Sequence, residues 1–382
     1  MASLSGRDLV QLVKSVFPRF PEDRALAVLI DVPRDKVTDN REWAARRALA
    51  FAWAAALKDN RFAIPLEDVR LYAYPDVGSN NADLPAEAFL LDSRVPDEAA
   101  SLPGAGPAVP FGRIFDEIQL FLAPTEYSTT APLKVAAKAF GFRAATMPGF
   151  STAMIPALQV DYGEVARRVE AIRGRLDAAV ESEVRFLVDG ALEYRTAFDL
   201  RFRSAHASSG RFPDKGTAGN LPSGEAYIVP YEGERGEPSR TAGVLPVEIR
   251  GEVVLYQITA NKAVQVYGEG PEAAAERERL GREPAYGNMA ELGFGVLGDF
   301  GLAPVGEILL DEKLGLHVAF GRSEHFGGAV GPKDFSSPAA VVHLDRIYIP
   351  ASQPRISVTS VVLAFPDGRR EEIIDNGAYT IF

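Results

Sequence analysis

The sequence contains no cysteine in 382 residues. Disulfides, thiolate zinc sites, iron–sulfur clusters and thiol nucleophiles are therefore excluded. Any metal would have to be held by His, Asp, Glu or Tyr. No apolar run reaches the roughly 18 residues of a transmembrane helix. The opening MASLSGRDLVQLVKSVF lacks the apolar segment of a secretory signal, so a cytoplasmic location is expected. Dense runs of lysine and arginine are also missing, and the net charge is −11. An acidic chain repels nucleic acid and anionic membrane, and neither is expected as a partner. There is no internal repeat. Histidine is scarce as well. Of four in the chain, His317, His325 and His343 fall close together near the C-terminus, with Asp311, Glu312 and Asp345 around them.

What is present reads as a folded protein of two domains. Hydrophobic content of 47% and charged content of 24% argue against disorder, and the length exceeds one ordinary core. Residues 5–17 carry apolar side chains at helical spacing. ALAVLIDVP (25–33) suits a buried strand, and the Ala-rich 39–60 is a helix opened by a capping Asp or Asn. VRLYAYP (69–75) and 116–124 read as strands, 75–112 as loop-rich, 131–142 as a helix stopped by Gly141, and 143–150 as a strand and turn. This alternation predicts an α/β N-terminal domain with a largely parallel sheet over 1–190. It ends in a long bridging helix at 161–184 with Asp161 as N-cap. From 191 to 382 the pattern is β-rich, with one helix near 270–281 and an Asp-Gly hairpin signal in FPDGRREE, predicting an α+β C-terminal domain.

The chemistry-bearing residues lie in that second half. In the β-run VVHLDRIYI, His343 and Asp345 share one face because the side-chain period of a strand is two. An imidazole beside a carboxylate in an apolar strand needs a metal, or each other and the backbone, for satisfaction. His317 sits in a second apolar strand, LHVAFG. Glu225 stands where a Gly/Pro-rich loop enters a strand, Glu291 reads as a loop acid followed by Gly293 and Gly295, and Glu312 as a turn acid. Together they supply four carboxylates and two imidazoles, enough charge for two divalent cations sharing a water. One iron would need only His317, His343 and Asp345, a facial triad.

The motifs GNLPSGE, AELGFG, LLDEKLGLHVAFG, HFGG and VHLD, in that order, resemble the aminopeptidase T/AmpS-type metallopeptidases and their relatives, over roughly residues 116–382. The resemblance implies two divalent ions (zinc, cobalt or manganese) held by Glu225, Glu291, Glu312, His317, His343 and Asp345. It also implies a homodimer and a small peptide or small amide as substrate. A glutamate, Glu312 or Glu291, would carry the proton to the leaving amine. Where those peptidases place a tyrosine, seven residues after the strand histidine, this chain has Glu324 followed by His325, and His325 is the candidate to take over its catalytic role. The N-terminal loop YSTTAPLK lacks the His-Thr pair common among relatives. The same group of proteins is similar to the 2,5-dihydroxypyridine dioxygenases. That likeness implies the alternative of a single Fe(II) and ring cleavage of a dihydroxypyridine-like aromatic.

Overall fold

The computed structural model describes residues 4–35 and 38–382. It divides into two compact units. One comprises residues 1–166, 208–223 and 305–310; the other comprises 167–207, 224–304 and 311–382.

The first unit is built on a seven-stranded sheet. Its order is Thr217–Asn220, Arg143–Thr146, Leu120–Ala123, Ala25–Val32, Asp68–Pro75, Glu87–Leu91 and Ala108–Pro110. The first five strands run parallel, and Glu87–Leu91 pairs antiparallel with both of its neighbours. The sheet is thus largely parallel, as the strand–helix alternation predicts. Every residue of Ala25–Val32 is buried, as a central strand covered on both faces requires. The helix Arg41–Asp59 starts where Asn40 accepts from the Trp43 amide at 2.7 Å. The helix Thr130–Phe140 stops at Gly141, whose φ of 80° is left-handed.

Two expectations shift here. The first part of 116–124 belongs to a helix, Phe111–Glu117, and only Leu120–Ala123 is strand. Phe111, Ile114 and Phe115 recur at i, i+3 and i+4, and all three are buried. Phe115 packs on Phe142 with ring centroids 4.9 Å apart. The loop-rich 75–112 also contains the strands Glu87–Leu91 and Ala108–Pro110.

The helix predicted for 161–184 ends earlier, at Tyr162–Ala178, and Glu181–Val188 is a strand. Val165, Val169, Ile172 and Leu176 keep helical spacing and are fully buried. Past Ala178 the buried Val184, Phe186 and Val188 alternate with a period of two. Asp161 does cap the helix, accepting from the Gly163 amide at 2.8 Å. The second unit is β-rich, with an eight-stranded sheet and a smaller sheet whose adjacent strands include His343–Ile347, Leu316–Gly321, Met289–Gly295 and Glu225–Ile228. The helix Pro271–Arg282 lies where expected. Antiparallel Ile356–Ala364 and Arg370–Asp375 are joined through Asp367-Gly368, with Gly368 at φ 85°. Among the described residues, no helix is long and apolar enough to cross a membrane.

Candidate metal centre

The smaller sheet gathers five of the sequence candidates, Glu225, Glu291, His317, His343 and Asp345, on one face. Its strands are antiparallel, with Glu225 opposite Gly295, Gly293 opposite His317, Ala319 opposite Asp345 and Gly321 opposite His343. Glu225 opens its strand, as the loop-to-strand junction suggests. Glu291 is not on a loop. It lies inside the fully buried strand Met289–Gly295, because Met289, Ala290, Leu292 and Phe294 bury that segment on both faces. His343 and Asp345 share a face, with His343 Nε2 3.6 Å from Asp345 Oδ1.

Glycine makes room for this packing. A Cβ at Gly293 would lie 2.0 Å from His317 Nε2, so the imidazole packs directly against bare backbone. A Cβ at Gly295 would lie 2.2 Å from the Lys313 carbonyl carbon. The two glycines of AELGFG therefore admit one histidine and one lysine backbone.

Two groups of ligand atoms form, Glu225–Glu291–His317 and Glu291–His343–Asp345, and they share Glu291. One Glu291 oxygen lies 3.4 Å from His317 Nε2, and the other lies 3.2 Å from His343 Nε2. Both imidazoles are turned the same way. Nδ1 of His317 donates to the Gly315 carbonyl at 3.3 Å, and Nδ1 of His343 to the Arg322 carbonyl at 2.7 Å. A carbonyl can only accept, so each ring directs Nε2 at the carboxylates, the orientation a metal-binding histidine needs. Glu225 Oε2 is buried and has no hydrogen-bond partner; His317 Nε2 lies 3.5 Å from it. A buried carboxylate oxygen left unpaired is costly, and a cation beside His317 would satisfy it. The donor set of carboxylates and imidazoles therefore fits divalent ions.

Glu312 is placed differently. It stands in the short turn Glu312–Leu314, outside both groups, and its carboxylate is engaged by Lys313 Nζ. Lys313 also reaches Glu225 Oε1 at 2.6 Å while being only 2% exposed. Sequence reasoning passed over this lysine. The available signal was a cation inside DEKL, where the flanking Leu310 and Leu314 are buried. His325 lies outside the two groups as well. Its ring centroid is 5.1 Å from that of His343, edge to face, and it leans on Phe326. Phe326 packs on Tyr227, and the fourth histidine, His206, stacks on Tyr227 and bonds to the Phe326 carbonyl at 3.0 Å. An aromatic wall that the sequence did not reveal thus stands beside His343.

Electrostatics follow from this packing. Burial opposes ionisation of Glu291, but hydrogen bonds from His317 and His343 outweigh it and hold its carboxyl well below the ordinary range. Burial alone would lower both imidazoles. The carboxylates reverse that, pushing His317 up to about 9, through Glu291 and Glu225, and His343 well above its usual value, through Asp345 and Glu291. Burial raises Glu225 despite Lys313. Glu312 is pushed up to about 7 by burial, with Glu225 and Asp345 adding to it against Lys313. His325 is pushed down to about 4, first by burial, then by His343 and Arg322.

No protein-family model matches this chain, and no curated protein matches it in sequence. Its fold is shared with two solved enzymes. The 2,5-dihydroxypyridine dioxygenase from Pseudomonas putida KT2440 superposes with a TM-score of 0.59 at 15% identity, covering 99% of this chain and 98% of its own. AmpT from Thermus thermophilus superposes with a TM-score of 0.53 at 15% identity, covering 98% and 99%. At that identity the likeness concerns the fold; the activity has to be argued from the site.

Proposed function

We propose that this chain is a metal-dependent hydrolase of the aminopeptidase kind, cleaving an amide bond in a small peptide or small amide. The observation that carries the reading is Glu291, whose two oxygens face two different histidines and which belongs to both ligand groups. A carboxylate so placed suits the shared ligand of two neighbouring ions. In this reading Glu225, Glu291 and His317 hold one ion, and Glu291, His343 and Asp345 hold the other. Bound zinc, cobalt or manganese would supply Lewis acidity and a water of lowered pKa.

The chain's own residues supply the rest. Glu312, with its carboxyl near 7 and held by Lys313, is poised to take a proton at neutral pH and release it to the leaving amine. His325 stays neutral beside His343 and offers an imidazole nitrogen to the leaving group or the carbonyl oxygen. The wall of Tyr227 and Phe326 limits water near His343 and offers a flat apolar surface to a substrate side chain.

A second reading has one observation in its favour. Lys313 engages Glu225 and Glu312, which leaves fewer free anionic oxygens and suits a single ion. That reading is a ring-cleaving dioxygenase with one Fe(II) on His317, His343 and Asp345. Elemental analysis of the purified protein, paired with assays on aminoacyl amides and on 2,5-dihydroxypyridine, separates the two. Close to two zinc, cobalt or manganese per chain with amide hydrolysis is the expected result. One iron per chain with oxygen uptake on the dihydroxypyridine would overturn the hydrolase.

A further inference from the structure

We infer that Lys313 is a built-in counter-cation that makes the two metal positions unequal, weakening the one beside His317. This inference rests on the two-ion reading above. Four carboxylates converge here, Glu225, Glu291, Glu312 and Asp345, and among the described residues one lysine ammonium, that of Lys313, meets them. It touches Glu225 and Glu312. Glu225 is a member of the His317 group, and Glu312 belongs to neither group. Among the described residues, the group Glu291–His343–Asp345 has no such contact with a lysine.

The consequences are geometric first. Lys313 occupies Glu225 Oε1, so only Oε2, the oxygen without a partner, is free to meet an ion beside His317. Glu225 can serve there through one oxygen only. Glu312 is tied to the same ammonium. Lys313 has little freedom to withdraw. Its side chain is 3% exposed, and its backbone passes so close to Gly295 that even a methyl group would not fit between them.

Coulomb repulsion acts in the same direction. A fixed positive charge a few ångströms from a divalent ion in a buried site opposes binding strongly. The position beside His343 and Asp345 meets less of that repulsion and keeps its two private ligands. Metal uptake is therefore stepwise. The His343 position fills first, and the His317 position fills only when metal is plentiful, so metal supply controls how many chains carry the complete centre.

The test is a zinc titration of metal-free protein against a competing chelator, with elemental analysis of each species and no activity readout. Wild type is expected to show one tight and one weaker association. Lys313→Met should tighten the weaker step on the order of tenfold or more, and leave the tight step within about threefold. Lys313→Arg keeps the charge and should behave as wild type. Lys313→Gln repeats the test where the Met variant fails to fold. Two equal steps in wild type overturn the inference, as does a weaker step that Lys313→Met leaves unchanged or weakens further. Failure of the wild type to bind zinc overturns the two-ion reading itself, a result distinct from the other two.

Discussion

Gly293→Ala is the sharpest test of how the site is built. The added Cβ would lie 2.0 Å from His317 Nε2, 2.2 Å from Cε1 and 2.7 Å from Cδ2. Ordinary carbon contacts need about 3.5–4.0 Å, so the ring must retreat by about 1.5 Å. These are ring atoms, not the end of a flexible chain. His317 is 1% exposed and tethered by Nδ1 to Gly315. Relief must come from strand separation or from an unfavourable rotamer, at about 1–3 kcal/mol. Metal ligation tolerates displacements of only ~0.2 Å, so the His317 position should empty while the His343 position keeps its ion. Elemental analysis and urea unfolding read the two effects together, with Gly174→Ala as control. Gly174 lies inside the helix Tyr162–Ala178 with nothing within 4 Å of its would-be Cβ. That change should stabilise by about 0.5–1 kcal/mol. A Gly293→Ala protein with wild-type metal content and stability would refute the claim that bare backbone at 293 seats the imidazole.

In metal-free protein, His317, with its pKa raised to about 9 by Glu291 and Glu225, is protonated at pH 7, and the carboxylates of Asp345 and Glu291 hold His343 well above its ordinary value too. An ion must displace those protons, so zinc affinity should climb as pH rises from 6 to 8, with protons released in calorimetry; a pH-independent affinity would contradict this. Glu291→Gln removes the carboxylate both histidines face and should abolish binding at both positions in dialysis against zinc; one ion retained would show that Glu291 is not shared. His325→Ala should keep the full metal content while lowering kcat for amide hydrolysis, since the ring lies outside both ligand groups; unchanged kcat would return His325 to a packing role. In the first unit, Arg143 is 1% exposed and holds Asp23 at 2.5 Å and the carbonyls of Pro18 and Phe212 at 2.7 and 2.9 Å. Arg143→Met leaves Asp23 buried without its partner and should cost about 3–5 kcal/mol in urea unfolding; a loss below 1 kcal/mol would mean that water replaces the guanidinium.

Much was legible along the chain because it depends on local period and local backbone chemistry. The strand Ala25–Val32, the helix Arg41–Asp59 with its Asn40 cap, the stop at Gly141 and the hairpin at Asp367-Gly368 each follow from side chains within a few residues. The pairing of His343 with Asp345 follows from the two-residue repeat of a strand. The misjudged boundaries, at Phe111–Glu117 and after Ala178, lie where an apolar run is too short for its period to be read without knowing what covers it.

The sequence by itself determined most of the elements, the absence of thiol chemistry and the roster of carboxylates and imidazoles. Tertiary structure decided how they meet. Glu225, Glu291, His317 and His343 come from four strands, and only the register of the sheet sets Glu291 between the two histidines. Glu312 and Lys313 are neighbours in the chain, yet it is packing against Gly295 that turns Lys313 toward Glu225, 88 residues away. Spacing along a strand fixes which face a side chain takes. Which charge lies opposite it depends on contacts between distant segments, which no local pattern encodes.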